Sequence, residues 1–259
     1  MTTLLLVGCG KMGGALLRGW REARAADRFE VVEPAGGEGF HRGADTLPED
    51  LAPDVVVLAV KPQTMEAALP PYRRFARPGT VFLSIAAGKT LGYFARRLGE
   101  GTAIVRAMPN TPAAVGRGIT VACANQYTTP EQRALCDRLL AAVGEVAWVE
   151  DESLIDPVTA VSGGGPAYVF LLIEVLAKAG AAAGLPEELA MRLARSTVSG
   201  AGELARLSPE PASRLRENVT SPSGTTYEAL KILMGEKGIE PIFVEAIAAA
   251  TRRSRELAE

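Results

Sequence analysis

LLLVGCGKMGGALL, residues Leu4–Leu17, runs an apolar stretch straight into a glycine-rich turn and then into an amphipathic stretch. Gly8, Gly10 and Gly13 stand as G-x-G-x-x-G between a strand and a helix, the context in which this spacing specifies a dinucleotide-binding turn. The first glycine permits a tight turn, the second lets a pyrophosphate approach the backbone, and the third lets the helix pack on the strand. The amides of Cys9, Gly10, Lys11, Met12 and Gly13 would then face the phosphates at a helix N-terminus.

Outward from this turn, the first half of the chain alternates apolar runs with amphipathic ones. Leu4–Val7, Val31–Val32, Val55–Val60, Val81–Ile85, Ile104–Arg106, Ile119–Ala122 and Val146–Val149 read as strands; Gly13–Ala25, Leu91–Leu98 and Pro130–Ala142 read as helices. Such alternation predicts an α/β domain, a Rossmann-type parallel sheet covered on both faces. Glu33 falls at the end of the second strand, where a carboxylate can accept from both hydroxyls of an adenosine ribose and would repel a 2′-phosphate. Ligands of open parallel sheets bind at the strand ends. Three stretches fall there: AVKP (Ala59, Val60, Lys61, Pro62), SIAAG with its small Ala86, Ala87 and Gly88, and MPNTP with Asn110. Lys61 either faces a cofactor or caps a surface loop.

After Ser162 the strand pattern stops. Pro166–Ala183, Pro186–Leu207, Pro211–Asn218, Thr225–Met234 and Pro241–Leu257 read as helices, with Phe243, Ala246, Ile247 and Ala250 on one face of the last. The expected division is a dinucleotide-binding domain over 1–161 and an all-helical domain over 162–259 for substrate and dimerisation. The apolar faces of the helical half suit a homodimer interface. Its most apolar helix, Tyr168–Leu185, carries Glu174 and Lys178, so it reads as a buried or interface helix, with no membrane partner expected.

At 259 residues the chain has room for one large domain or two smaller ones, and its net charge of −2 opposes a nucleic-acid partner. Its three cysteines, Cys9, Cys123 and Cys136, have no metal-ligand spacing and suit a reducing cytoplasm. The N-terminus has no cleavable signal pattern, because its apolar run ends at once in glycines. No metal site is expected. The single histidine, His41, lies in a glycine-rich loop and reads as a surface residue. With no nucleophile motif, the chemistry falls to a bound nicotinamide, NADPH or NADH.

The protein must then orient a substrate, and ENVTSPSGTTYEAL, Glu217–Leu230, is suited to it. Six of its fourteen residues are Ser or Thr, set before a helix. Ser221 and the backbone amides of Gly224 and Thr225 can cradle an anion.

The run NVTSPSGTTYEAL, with AVKP, SIAAG, RAMPNTP and VSGGGPAYVF, resembles the pyrroline-5-carboxylate reductases, from Leu4 to near the C-terminus. The resemblance implies reduction of 1-pyrroline-5-carboxylate to L-proline by hydride transfer to the cyclic imine. It implies that Ser221, Gly224, Thr225 and Thr226 hold the substrate, with the Thr226 hydroxyl near the ring nitrogen as the catalytic group. It also implies a homodimer or larger homo-oligomer. One residue departs from the pattern: the family commonly has a second glycine where Ser223 stands, and Ser is strained there if φ is positive. VSGG, Val161–Gly164, is also similar to a motif of β-hydroxyacid dehydrogenases and related imine reductases, in which Lys178 would be the acid. A nucleotide-sensing protein without turnover is the reading from another class.

Overall fold

A computed structural model of the chain describes residues 1–258. Two compact units emerge, Met1–Gly163 joined by the stretch from Ala250 onward, and Gly164–Ala249.

The first unit is built on a seven-stranded sheet: β1 (Thr3–Val7), β2 (Arg28–Val32), β3 (Val55–Leu58), β4 (Val81–Ser84), β5 (Ala103–Met108), β6 (Gly118–Ala124) and β7 (Gly144–Trp148), in the order β2-β1-β3-β4-β5-β6-β7. Leu4, Leu5 and Leu6 of β1 and Val55, Val56 and Val57 of β3 are fully buried, as central strands covered on both faces require. Three longer helices flank the sheet, α1 (Lys11–Glu22), α3 (Leu91–Leu98) and α4 (Pro130–Ala141), with the short α2 (Met65–Ala68) and α5 (Ile155–Val158) between and after them. Thr90 caps α3 through the amide of Tyr93, and a reciprocal Thr129–Gln132 capping box opens α4. One apolar layer gathers around Leu16, Trp20, Val57, Leu139 and Leu140, the other around Met65, Tyr72, Phe82, Tyr93 and Phe94.

Two sequence expectations need correction. The sheet is not wholly parallel: β6 runs antiparallel to β5. The segment 109–117 between them holds only a short 3₁₀ turn at Thr111–Val115, too little chain for a parallel crossover. The stretch from Ala250, expected in the helical domain, groups with the first unit. Its Ser254 is buried there and donates to Asp156 Oδ1 at 2.7 Å.

The second unit is helical, with α6 (Gly165–Ala182), α7 (Glu187–Leu207), α8 (Ala212–Asn218), α9 (Thr225–Leu233) and most of α10 (Ile239–Leu257). Helices α6 and α7 meet at small residues: a Cβ on Gly180 would lie 3.3 Å from that of Ala190, and Ala177, Ala190 and Ala194 are buried. Many of the large apolar side chains face outward: Phe170, Leu171, Val175, Leu204, Ile242 and Val244 are all exposed, and Ile232 is 78% exposed. The helical run Glu152–Ala182, with a π turn at Thr159–Gly163, is long and apolar enough to cross a membrane by length and composition.

Candidate active site

The strand order reverses between β1 and β3, and the glycine turn sits at that switch point. Gly8 takes φ +90°, and a Cβ there would lie 2.9 Å from the amide nitrogen of Val60 and 3.0 Å from Ala59 O. A side chain at Gly8 would therefore collide with the end of β3 and be strained as well. Gly13 is held equally closely, with the Gly8 carbonyl occupying the place of its missing Cβ. Gly10 differs: a Cβ there would meet nothing within 4 Å. Gly10 is the N-cap of α1 and supplies no capping side chain, so the first amides of the helix have no acceptor of their own. Open space before an uncapped helix N-terminus fits a pyrophosphate; Lys11, Met12 and Gly13 supply the amides.

Glu33 follows β2. Its Oε2 accepts from the Cys9 amide at 2.7 Å and its Oε1 from the Ala35 amide at 3.2 Å. The loop after it turns back through His41, whose N–H donates to Val31 O and whose carbonyl accepts from the Glu33 amide. The His41 ring meets the Glu30 carboxylate at 2.7 Å. His41 is thus a loop tie, partly covered, rather than a bare surface residue. Burial alone would raise the Glu30 carboxyl, but hydrogen bonds from His41 and Arg28 outweigh it and hold the group below its usual range. The Arg42 guanidinium lies over Gly36. Burial, and then the Glu33 carboxylate, push the Cys9 thiol up.

The other expected cofactor residues line the C-terminal edge of neighbouring parallel strands. Strand β3 ends at Leu58, so Ala59 and Val60 lie in the turn beneath Gly8. Lys61 is exposed, and its carbonyl caps a 3₁₀ turn through the Thr64 amide and hydroxyl; Pro62 starts that turn. After β4, Ala86 is buried, Ala87 is exposed and Gly88 takes φ +73°. Asn110 is occupied by the fold: Oδ1 accepts from the Ile119 amide at 2.9 Å and Nδ2 donates to Ser162 O at 3.2 Å.

In the second unit, the hydroxyl-rich run forms a turn into α9. The Gly224 amide donates to Ser221 O at 3.1 Å. This corrects one expectation, because that amide is spent on the turn. The amides open at the start of α9 are those of Thr225 and Thr226, with no side-chain cap in front of them. The Ser221 hydroxyl occupies the space a Gly224 side chain would need. Ser223 takes φ +59°, the left-handed conformation in which glycine is at ease and serine is strained. Ser221, Thr225 and Thr226 are exposed in the chain. Lys178, the acid of the rival reading, is an exposed residue of α6 in a groove with Glu174 and Glu187. Among the described residues, no three His, Cys, Asp or Glu side chains are grouped to hold a metal.

Among the described residues the charged side chains of Lys89, Arg106 and Asp156 are buried, and sequence reasoning singles out none of them. Arg106 on β5 is paired with Glu152 at 2.8 Å. An arginine inside an otherwise apolar strand, Ala103–Met108, is the signal that could have found it.

An open, mostly parallel sheet with a glycine turn at its switch point and an uncapped helix behind it defines a dinucleotide-binding protein. Comparison with known proteins narrows the class. Residues 152–257 match the family model described as pyrroline-5-carboxylate reductase dimerisation. The pyrroline-5-carboxylate reductase of Pseudomonas aeruginosa is 39% identical over 265 residues, covering 99% of this chain and 97% of that protein. A solved pyrroline-5-carboxylate reductase from Coxiella burnetii aligns with a TM-score of 0.89 at 33% identity, over 100% of this chain and 99% of the other. The Plasmodium falciparum pyrroline carboxylate reductase, solved with NADP bound, aligns with a TM-score of 0.84 at 29% identity, over 100% and 98%. The chain belongs to the pyrroline-5-carboxylate reductase family.

Proposed function

We propose that the protein reduces 1-pyrroline-5-carboxylate to L-proline with NADPH or NADH, the last step of proline biosynthesis. What carries this reading is that the family likeness spans the whole chain, so that the glycine turn and the hydroxyl-rich loop both fall within it. When bound, the reduced nicotinamide supplies a hydride to the ring carbon of the C=N bond.

The chain's own residues bind and orient. Gly10, Lys11, Met12 and Gly13 hold the pyrophosphate at the start of α1, and Glu33 takes the adenosine ribose; the Cys9 amide, expected at the phosphates, is spent on Glu33 instead. Ala59–Pro62 and Ala86–Gly88 border the rest of the cofactor, with Asn110 holding the edge after β5. The Ser221 hydroxyl and the amides of Thr225 and Thr226 hold the substrate carboxylate. The Thr226 hydroxyl oxygen accepts from the N–H of the protonated ring nitrogen. A protonated imine is already electrophilic, so positioning replaces a strong acid or base. The β-hydroxyacid dehydrogenase reading gives way to the family assignment, and Lys178 has no role in this scheme.

The protein is a homo-oligomer, at least a dimer. The exposed apolar side chains of α6, α9 and α10 lie within the stretch that matches the dimerisation model, and a second copy covers them. The same covering accounts for the apolar run Glu152–Ala182 without a membrane. We place the protein in the cytoplasm, where its three free thiols suit a reducing medium. Purified protein given pyrroline-5-carboxylate and each reduced nicotinamide tests the assignment. Substrate-dependent loss of the nicotinamide absorbance supports it; cofactor binding without turnover, or turnover of hydroxy acids instead, refutes it.

A further inference from the structure

We propose that Arg106, Glu152, Asp156 and Ser254 are positioning residues that clamp the loop Ala86–Gly88, and through it set the cofactor's seat at the sheet edge. The inference rests on the reading of that loop as a cofactor contact.

The loop leaves the sheet after Ser84, the last residue of β4, and re-enters regular structure at Leu91, the first residue of α3. Arg106 pairs with Ser84 across the β4–β5 ladder, so it sits beside the point of departure. Its guanidinium is buried and meets Glu152 Oε1 at 2.8 Å. The same Oε1 accepts from the Leu91 amide, also at 2.8 Å. One carboxylate oxygen thus joins β5, beside the point where the loop begins, to the helix where it ends.

A second branch holds the middle of the loop. The other guanidinium nitrogen of Arg106 lies 4.0 Å from Asp156 Oδ1, and that oxygen accepts from the Ser254 hydroxyl at 2.7 Å. Ser254 lies one turn before Leu257 on α10. The Leu257 carbonyl stands 2.8 Å from where a Gly88 Cβ would be. Fastening Ser254 therefore seats the end of α10 directly against Gly88.

Stability alone is a weak reason for such a cluster, since a buried ion pair often does no better than apolar packing of the same volume. The Arg106 guanidinium donates to Glu152 at 2.8 Å while its charge faces Asp156 at 4.0 Å. An apolar residue at Arg106 would fill the strand but could not tie β5, α3, α5 and α10 together around one loop.

Ser254→Ala is the mildest cut. In the full-length oligomer it should raise KM for the reduced nicotinamide about three- to tenfold, the loss of one buried hydrogen bond. KM for pyrroline-5-carboxylate at saturating cofactor should be unchanged, and Ser254→Thr, which keeps the hydroxyl, should restore the cofactor KM. Ala87→Leu, a bulky side chain placed on the exposed face of the loop, tests the underlying reading separately. If Ala87→Leu raises the cofactor KM and Ser254→Ala does not, the clamp is refuted and the cofactor loop stands. If neither moves it, the reading of the loop fails and the clamp with it. A Ser254→Ala protein that loses thermal stability while both KM values hold has only a structural serine there, which also refutes the clamp.

Discussion

The Glu33 carboxylate accepts a hydrogen bond from the Cys9 amide at 2.7 Å, so the end of β2 is fastened to the middle of the glycine turn. A residue read as a ribose contact therefore also shapes the phosphate turn. Both of its oxygens already accept a backbone amide, yet each keeps capacity for a ribose hydroxyl.

This double duty makes the cofactor prediction specific. A carboxylate here repels a 2′-phosphate, and Arg42 over Gly36 offsets part of that repulsion. NADH should be used at least as well as NADPH. Glu33→Gln removes the charge and keeps an acceptor for Cys9, so the kcat/KM ratio should move towards NADPH. Glu33→Ser should move the ratio the same way but weaken both cofactors by about three- to tenfold, because the Cys9 amide loses its partner. A strong wild-type preference for NADPH that neither substitution alters would mean that Glu33 serves the turn alone.

Ser223 at φ +59° carries a conformational cost of about 1–2 kcal/mol relative to glycine. Glycine in turn adds unfolded-state freedom worth about 0.4–1 kcal/mol. The difference favours glycine, so Ser223→Gly should raise stability by up to about 1.5 kcal/mol, read as a shift of the denaturant midpoint at fixed protein concentration. A loss of stability would show that the Ser223 side chain makes a favourable contact in the assembled protein.

The thiols should report on the same turn. Burial pushes Cys136 up to about 12 and Cys123 up to about 11, and Cys9 is raised by burial and then by Glu33. Only the thiolate attacks, so near neutral pH a thiol reagent should label the native protein slowly and reach all three cysteines only on unfolding. Cys9, the least covered of the three, should react first, and bound NADP should slow it. Rapid native labelling of Cys136, or Cys9 labelling indifferent to NADP, would contradict the packing described here.

Much of this was legible in the residues. LLLVGCGKMGG carries its own strand, turn and helix, and its glycines have distinct reasons: Gly8 lies against Val60, Gly13 against the Gly8 carbonyl, and Gly10 leaves open space. Val55–Val60 was read two residues too long, because its apolar run continues into the turn that supports Gly8. The direction of β6 escaped because periodicity identifies strands without their orientation; only the short 109–117 link betrays it. Contacts far apart in sequence left no local trace. Ser254 looks like any polar residue of an exposed helix until it is found bound to Asp156. In the hydroxyl-rich run, residue types pointed to an anion cradle, but which amide the turn itself consumes, that of Gly224, depends on the backbone path.

In the proposed reaction the chemistry turns on Thr226. Thr226→Ala should lower kcat for pyrroline-5-carboxylate about ten- to a hundredfold, the loss of one hydrogen bond to a charged group, with the Kd of the cofactor unchanged. Undiminished turnover would remove Thr226 from its role.

The most direct test follows the hydride itself. Pyrroline-5-carboxylate is incubated with the protein and with reduced nicotinamide deuterated at the transferred position, and the product is examined by mass spectrometry and NMR. The account predicts L-proline carrying one deuterium on the ring carbon that had formed the C=N bond. Absence of proline, or proline without deuterium at that carbon, would contradict it.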